Sequence, residues 1–209
     1  MIDLYTWGTP NGRKVSVMLE ECDLPYAVHS IHIGQNDQFK PEFVAINPNS
    51  KIPAIVDPDG PDGKPISLME SGAILIYLSG KTGKWLPQSD RGKYDALQWL
   101  MFQMAGVGPM FGQTHHFMRA APQPVPYAIE RYHNETKRLY GVLNERLGQV
   151  AYLAGEYSIA DIATYPWVAR HEWHKVDLAK FAHVKRWFDT IGMRPAVQRG
   201  MAEIGRAHV

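Results

Sequence analysis

The chain has 209 residues, 45% of them hydrophobic, with 22 basic and 21 acidic side chains, a formal net charge of +1 and a single cysteine. So even a charge balance sets up no long-range field, which argues against nucleic acid and anionic membranes as partners. The lone cysteine, Cys22, excludes an internal disulfide framework and a CxxC redox pair, so any thiol chemistry must borrow its sulfur.

The length suits one large domain or two small ones. No run of about eighteen apolar residues appears, and Met1-Ile2-Asp3-Leu4 lacks the basic region and apolar stretch of a signal peptide, so a soluble cytoplasmic protein is expected. Residues 2–7 form a short β-rich run, closed by the loop cluster Gly8-Thr9-Pro10-Asn11-Gly12. A helix follows, in which Val15, Met18, Leu19 and Cys22 fall at i, i+3, i+4 and i+7 and make one apolar face. Cys22 belongs to that face and reads as a small buried hydrophobe rather than a nucleophile. Leu24-Pro25 ends the helix, residues 26–33 alternate as a second strand, and a polar connection spans residues 35–43.

Residues 47–78 are the most informative stretch. The turn Asn47-Pro48-Asn49-Ser50 leads through Ile52-Pro53 into the apolar strand Ala54-Ile55-Val56. Proline is tolerated at a strand's mouth, and an X-Pro bond in a tight turn adopts the cis form at modest cost. A polar hairpin over residues 57–64 reaches a short strand, Ile66, Ser67 and Leu68, and then Glu70-Ser71 opens a helix. Ser71 is the expected N-cap, with Gly72 next and Ala73, Ile74, Tyr77 and Leu78 on the packed side. The helix's N–H groups and positive dipole end suit a ligand carboxylate, while Glu70 suits an ammonium beside it. Together they describe a site for an α-amino acid end.

The order is βαβ, a connection, then ββα, that of a thioredoxin-like domain. The first domain is expected to end near Trp85-Leu86-Pro87, giving residues 1–87 and a second domain over residues 88–209. The latter lacks strand alternation and reads as all-helical. Tyr94, Leu97, Met101, Met104 and Gly108 make one helical stripe; Tyr132, Thr136, Leu139, Leu143 and Leu147 make another. Pro122, Pro124 and Pro126 break the helix between them. Ser158 and Asp161 are spaced as N-cap and N3 of a capping box, Pro166 is expected to kink that helix, and Val184, Trp187, Phe188 and Ile191 form a later amphipathic stripe. Residues 204–209 read as a frayed, polar end.

The strand I-P-A-I-V followed by M-E-S-G-A-I-L-I-Y-L resembles the glutathione site of the cytosolic glutathione transferases. The resemblance spans nearly the whole chain and implies an α/β thioredoxin-like N-terminal domain joined to an all-α C-terminal domain, usually paired as a homodimer. It also implies that Ile52 and Pro53 grip the cysteinyl backbone of glutathione and that Glu70 and Ser71 grip its γ-glutamyl end. The combination T-P-N-G, Q-F-K-P-E-F, N-P-N-S-K-I-P-A-I, G-P-M-F-G-Q-T-H-H-F and P-Y-A-I-E-R-Y is similar to the Nu-class, or disulfide-bond oxidoreductase, branch. For that branch the implied sulfur contacts are Thr9 and Asn11, and the implied remaining contacts are Gln38, Lys51, Gln113 and Arg131. Two glutathione molecules, or one glutathione disulfide, would fill each site.

A free thiol with a pKa near 8.5 is only a few per cent thiolate at neutral pH, so a glutathione enzyme needs donors where the sulfur rests. The Thr9 hydroxyl and the Asn11 amide are such donors, and the same residues also shape the turn and cap the helix. Arg131 reads either as a solvated surface arginine or as a clamp for a second glutathione carboxylate. Adjacent His115 and His116 diverge by about 100° on a helix, so no metal is expected, and they read instead as a wall of the second-ligand pocket with Phe111 and Phe117. Trp99, Met101 and Met110 lie on helices suited to a two-fold interface. Three functions remain open: a glutathione-dependent disulfide reductase, a conventional transferase joining glutathione to electrophiles, and a non-catalytic glutathione-binding regulator.

Overall fold

β1 (Ile2–Thr6) is the strand on which the first unit is built. In the computed structural model, which describes residues 1–206, the last three by backbone alone, β1 pairs in parallel with β2 (Tyr26–Ser30) and antiparallel with β3 (Ala54–Asp57). β3 pairs antiparallel with β4 (Ile66–Met69), giving the order β2-β1-β3-β4. The parallel β1/β2 pair requires a crossover, which α1 (Pro10–Cys22) supplies, and α3 (Ser71–Thr82) follows β4. This is the thioredoxin-like order expected from the pattern. Leu4, Val15, Met18, Leu19, Ile55, Ile74, Leu75 and Leu78 are wholly enclosed and form its core.

Two local expectations are corrected. β2 stops at Ser30 because the chain bends away through a 3₁₀ turn at Ile33–Gln35, after the Ile31 N–H has bonded the Thr6 carbonyl at 2.9 Å. Ala73 faces out and Leu75 takes its place in the core.

A compact unit is formed by Met1–Lys84 together with α9 (Pro195–Arg206), and a second by Trp85–Met193. α9 lies so close to α1 that a Cβ on Gly200 would stand 2.5 Å from Val17 Cα. The Ser16 hydroxyl donates to the Gly200 carbonyl at 2.7 Å. Arg194 grips the buried Glu21 carboxylate with both Nε and Nη2, at 2.6 and 2.8 Å. Residues 204–206 continue α9 as helix rather than as a frayed end, and residues 207–209 lie outside the described residues.

In the second unit, α4 (Asp90–Phe102), a π-helical turn (Gln103–Val107), α5 (Gly108–His115) and a second π turn (His116–Ala120) run on without a break in helical backbone. The prolines then interrupt, and α6 (Pro126–Gln149), α7 (Ile159–Val168) and α8 (Ala182–Gly192) follow. The stripe expected on α4 is covered only in part: Gly108 is buried and Leu97 and Met104 are half-buried, but Tyr94 is 66% and Met101 47% exposed, and the buried line runs through Ala96, Leu100, Gln103 and Val107. Simple apolar periodicity misses a line that contains a glutamine and passes through a π turn, where the extra residue shifts the phase of the face. On α6 the expected line is the buried one at Thr136, Leu139, Leu143 and Leu147.

The capping box of α7 is present. Ser158 Oγ accepts from the Ala160 N–H at 3.3 Å, and the Asp161 carboxylate accepts from the Ser158 N–H, the Leu153 N–H and Trp187 Nε1 at 3.0, 3.0 and 2.7 Å. Burial pushes the Asp161 carboxyl up to about 6 against those bonds. A second buried polar group centres on His174, whose Nδ1 lies 3.0 Å from the Tyr140 hydroxyl and whose ring stacks on His115 at 4.4 Å. Burial, with neighbouring charges second, takes His115 down to about 4 and His174 to about 2. Both are therefore neutral in the folded unit at pH 7.

Two predictions follow from this packing. Gly200→Ala should destabilise the protein by about 1–3 kcal/mol, seen in denaturant unfolding, because its Cβ meets backbone rather than a movable side chain. The folded pKa of His174 lies below its unfolded value near 6.5, so the stability it confers is complete above pH 6.5 and is lost as pH falls below that. Between pH 6.5 and 5, wild type should lose about 1.4 kcal/mol more per pH unit than His174→Asn, measured by urea unfolding.

Candidate functional site

Strand register gathers the sequence-predicted residues of the first unit at one end of the sheet. Tyr5 pairs with Ala54 and Ala54 with Met69, so the segment leaving β1, the segment entering β3 and the segment leaving β4 lie side by side. These segments carry Thr9 and Asn11, Ile52 and Pro53, and Glu70 and Ser71. Thr6 pairs with Ser30, which brings the connection after β2, with Gln38, to the same end.

Thr9 is the N-cap of α1, and its Oγ1 accepts the Gly12 N–H at 3.2 Å. A hydroxyl has one proton and two lone pairs, so this bond orients the side chain and leaves the proton to donate elsewhere. Pro10 fills the first helical position, where a missing N–H is harmless, and Asn11 the second. Trp7 and His32 rings meet at 4.0 Å beside this loop.

The Ile52-Pro53 bond is cis and Pro53 is buried. The turn before it is braced by Asn47, whose Oδ1 accepts the Asn49 N–H at 2.9 Å and whose Nδ2 donates to the Lys51 carbonyl at 2.6 Å. The Lys51 side chain is exposed. Gln38 is half-buried in the 3₁₀ turn Asp37–Phe39, and its Oε1 is enclosed without a hydrogen-bond partner among the described residues, an acceptor that calls for a donor.

Glu70, not Ser71, holds the cap position of α3; its carbonyl accepts the Ile74 N–H at 2.9 Å. Its backbone has φ 65° and ψ 111°, a conformation that side chains adopt only when their surroundings impose it. Ser71 is itself the first helical residue and so lies one position past the cap, and Lys14 Nζ donates to its Oγ at 3.3 Å. Lys14 escaped the sequence reading, since a lysine beside an apolar helical face is ordinarily solvated. The only hint was its position four residues before Met18 on the buried side.

The remaining two predicted residues belong to the second unit. Gln113 is exposed on α5. Arg131 is exposed on α6 and lines a cleft of about 870 Å³ with Met110, Tyr127, Tyr132 and Arg138. Among the described residues no group of three His, Cys, Asp or Glu side chains stands ready for a metal ion, and no helix is long and apolar enough to cross a membrane.

Residues 9–81 match the glutathione S-transferase N-terminal domain family, and residues 109–195 match the glutathione S-transferase C-terminal domain family. The chain belongs to the glutathione transferase family. It is 52% identical to the disulfide-bond oxidoreductase YfcG of Escherichia coli strain K12, over 98% of this chain and 97% of that protein. A glutathione transferase from Burkholderia graminis, crystallised with two glutathione molecules per subunit, superposes with a TM-score of 0.92 at 49% identity, over 98% of this chain and 89% of that one. One from Pseudomonas putida, with one glutathione disulfide per subunit, also has a TM-score of 0.92, at 47% identity over 96% and 90%.

Proposed function

We propose that this enzyme reduces disulfides with two molecules of glutathione. The observation that carries the reading is a contrast. The chain's one cysteine is 4% exposed within α1, with its thiol pushed up by burial, while Thr9, oriented by its cap bond, and Asn11 stand at the end of the sheet where the segments of the candidate site meet. It has the means to hold sulfurs and none to contribute. The relatives with two glutathiones or a glutathione disulfide bound support the same reading.

In this reading, residues 1–87 act as the glutathione-binding domain. Thr9 Oγ1–H and the Asn11 amide donate to the thiolate of the first glutathione. Ile52 and Pro53 meet its cysteinyl backbone, Glu70 its α-ammonium and Ser71 its α-carboxylate, while Gln38 and Lys51 hold the remaining polar groups. Gln113 and Arg131 serve the second glutathione. Each unit of thiol pKa depression needs about 1.4 kcal/mol, and each hydrogen bond to a charged sulfur supplies roughly 1.5–3 kcal/mol, so the two donors are sufficient.

The first thiolate attacks one sulfur of the substrate disulfide, forming a mixed disulfide and expelling the other sulfur as a thiolate that takes up a proton. The second glutathione, having lost its proton, attacks the glutathione sulfur of the mixed disulfide. Glutathione disulfide forms and the second substrate thiolate leaves, so two glutathiones and one disulfide become one glutathione disulfide and two thiols.

A homodimer and a cytoplasmic location complete the proposal. The outward Tyr94 and Met101 give the second unit an apolar face suited to a partner copy.

The test is the steady-state rate of reduction of a small model disulfide by glutathione, coupled to glutathione reductase, beside conjugation of an aromatic halide. Disulfide reduction should greatly exceed conjugation. Thr9→Ala/Asn11→Ala should lower it about a hundredfold or more, and Thr9→Ser, which keeps both the cap and the donor, should retain it. Conjugation in excess would restore an ordinary transferase. Silence in both assays despite glutathione binding would leave a regulatory protein.

A further inference from the structure

Lys14 is the buried charge that this reaction scheme does not use. It is 1% exposed, on a helix whose neighbouring positions Val15, Val17, Met18 and Leu19 are core. An ammonium is costly to remove from water, and a methionine or leucine of similar volume fills such a place without that cost. Burial draws Lys14 down to about 7, with the Glu70 carboxylate opposing the shift. The compensation is to be sought at the amine, and there Nζ donates to Ser71 Oγ, itself only 4% exposed.

The polarity of that bond has a consequence. In its charged form, which a ligand carboxylate beyond Ser71 favours, the Lys14 amine has three donors and no acceptor, so the Ser71 oxygen accepts from it and does not give it the hydroxyl proton. The proton must point to another acceptor. The hydroxyl lies in the first turn of α3, where the helix dipole also favours negative charge.

We propose that Lys14 is a positioning residue for glutathione recognition: from behind Ser71 it fixes the hydroxyl as a donor toward the γ-glutamyl carboxylate and places a positive charge behind that bond. The inference rests on the glutathione reading above and adds to it a residue that need not touch the ligand. It separates two roles at the start of α1, with Thr9 and Asn11 at the central cysteinyl sulfur and Lys14 behind the γ-glutamyl end of the same tripeptide.

The experiment combines thermal melting, glutathione affinity by calorimetry, and kcat and KM for glutathione, on wild type, Lys14→Met, Ser71→Ala and the double variant. Lys14→Met should melt no lower than wild type and should weaken glutathione binding about tenfold, raising KM with kcat nearly unchanged. In the Ser71→Ala background the same substitution should change affinity less than twofold, because the hydroxyl it orients is gone. Wild-type affinity in Lys14→Met, a loss confined to kcat, or an equal loss with and without Ser71 would each overturn the proposal. Should Lys14→Met not fold, Lys14→Gln is read by the same criteria. Failure of wild type to bind glutathione would instead overturn the functional reading, before any variant is compared.

Discussion

The pairing of β3 with both β1 and β4 is the constraint on which the site depends. Because both pairings are antiparallel and in register at Tyr5, Ala54 and Met69, one turn of β3 decides what lies beside the start of α1 and the start of α3. A shift of one residue in β3 would turn Ile55 out of the core and carry Pro53 to the other face. Ile55 is wholly enclosed, so the core that stabilises the sheet also fixes the geometry of the candidate site. Stability and ligand geometry share one set of contacts here.

Around that frame, the local polar devices do two tasks at once. Thr9 caps α1 and, through the lone pair it gives to Gly12, aims its proton away. Asn47 braces both sides of the turn that delivers Ile52 and Pro53. Lys14 is held at energetic expense where an apolar residue would pack, and its amine meets the one hydroxyl at the head of α3. The unusual backbone of Glu70 sits at the same place. The strained backbone of Glu70, a buried cation and an enclosed Gln38 acceptor with no partner among the described residues fall at one end of the sheet. That concentration is what a ligand site looks like before its ligand arrives.

Much of this was legible in the sequence because it follows from local rules. The βαβ and ββα order, the cis-proline turn, the α1 face through Val15, Met18, Leu19 and Cys22, the α6 line and the Ser158–Asp161 box are set by period, proline chemistry and capping. What escaped depends on groups meeting across the fold. Ser71 looked like an N-cap because its spacing fits one, but the strained backbone of Glu70 takes that position, and a lysine 57 positions earlier in the chain donates to the Ser71 oxygen. Lys14 drew no reading, because a lysine is usually solvated. The α4 stripe was misread at Tyr94 and Met101, whose large apolar bodies suggest a covered face, while the buried line runs through Gln103 and a π turn. Sequence period reports which residues could form a face, and packing decides which face is covered.

The central claim is that one end of the sheet holds glutathione with its sulfur at Thr9 and Asn11 and its γ-glutamyl end at Ser71. A crystal structure with glutathione disulfide bound tests it most directly. The account predicts one disulfide per subunit, with one sulfur in hydrogen-bond reach of Thr9 Oγ1 and the Asn11 amide, and the α-carboxylate of that half accepting from Ser71. A disulfide seated elsewhere, or one whose sulfurs face neither Thr9 nor Asn11, would contradict it.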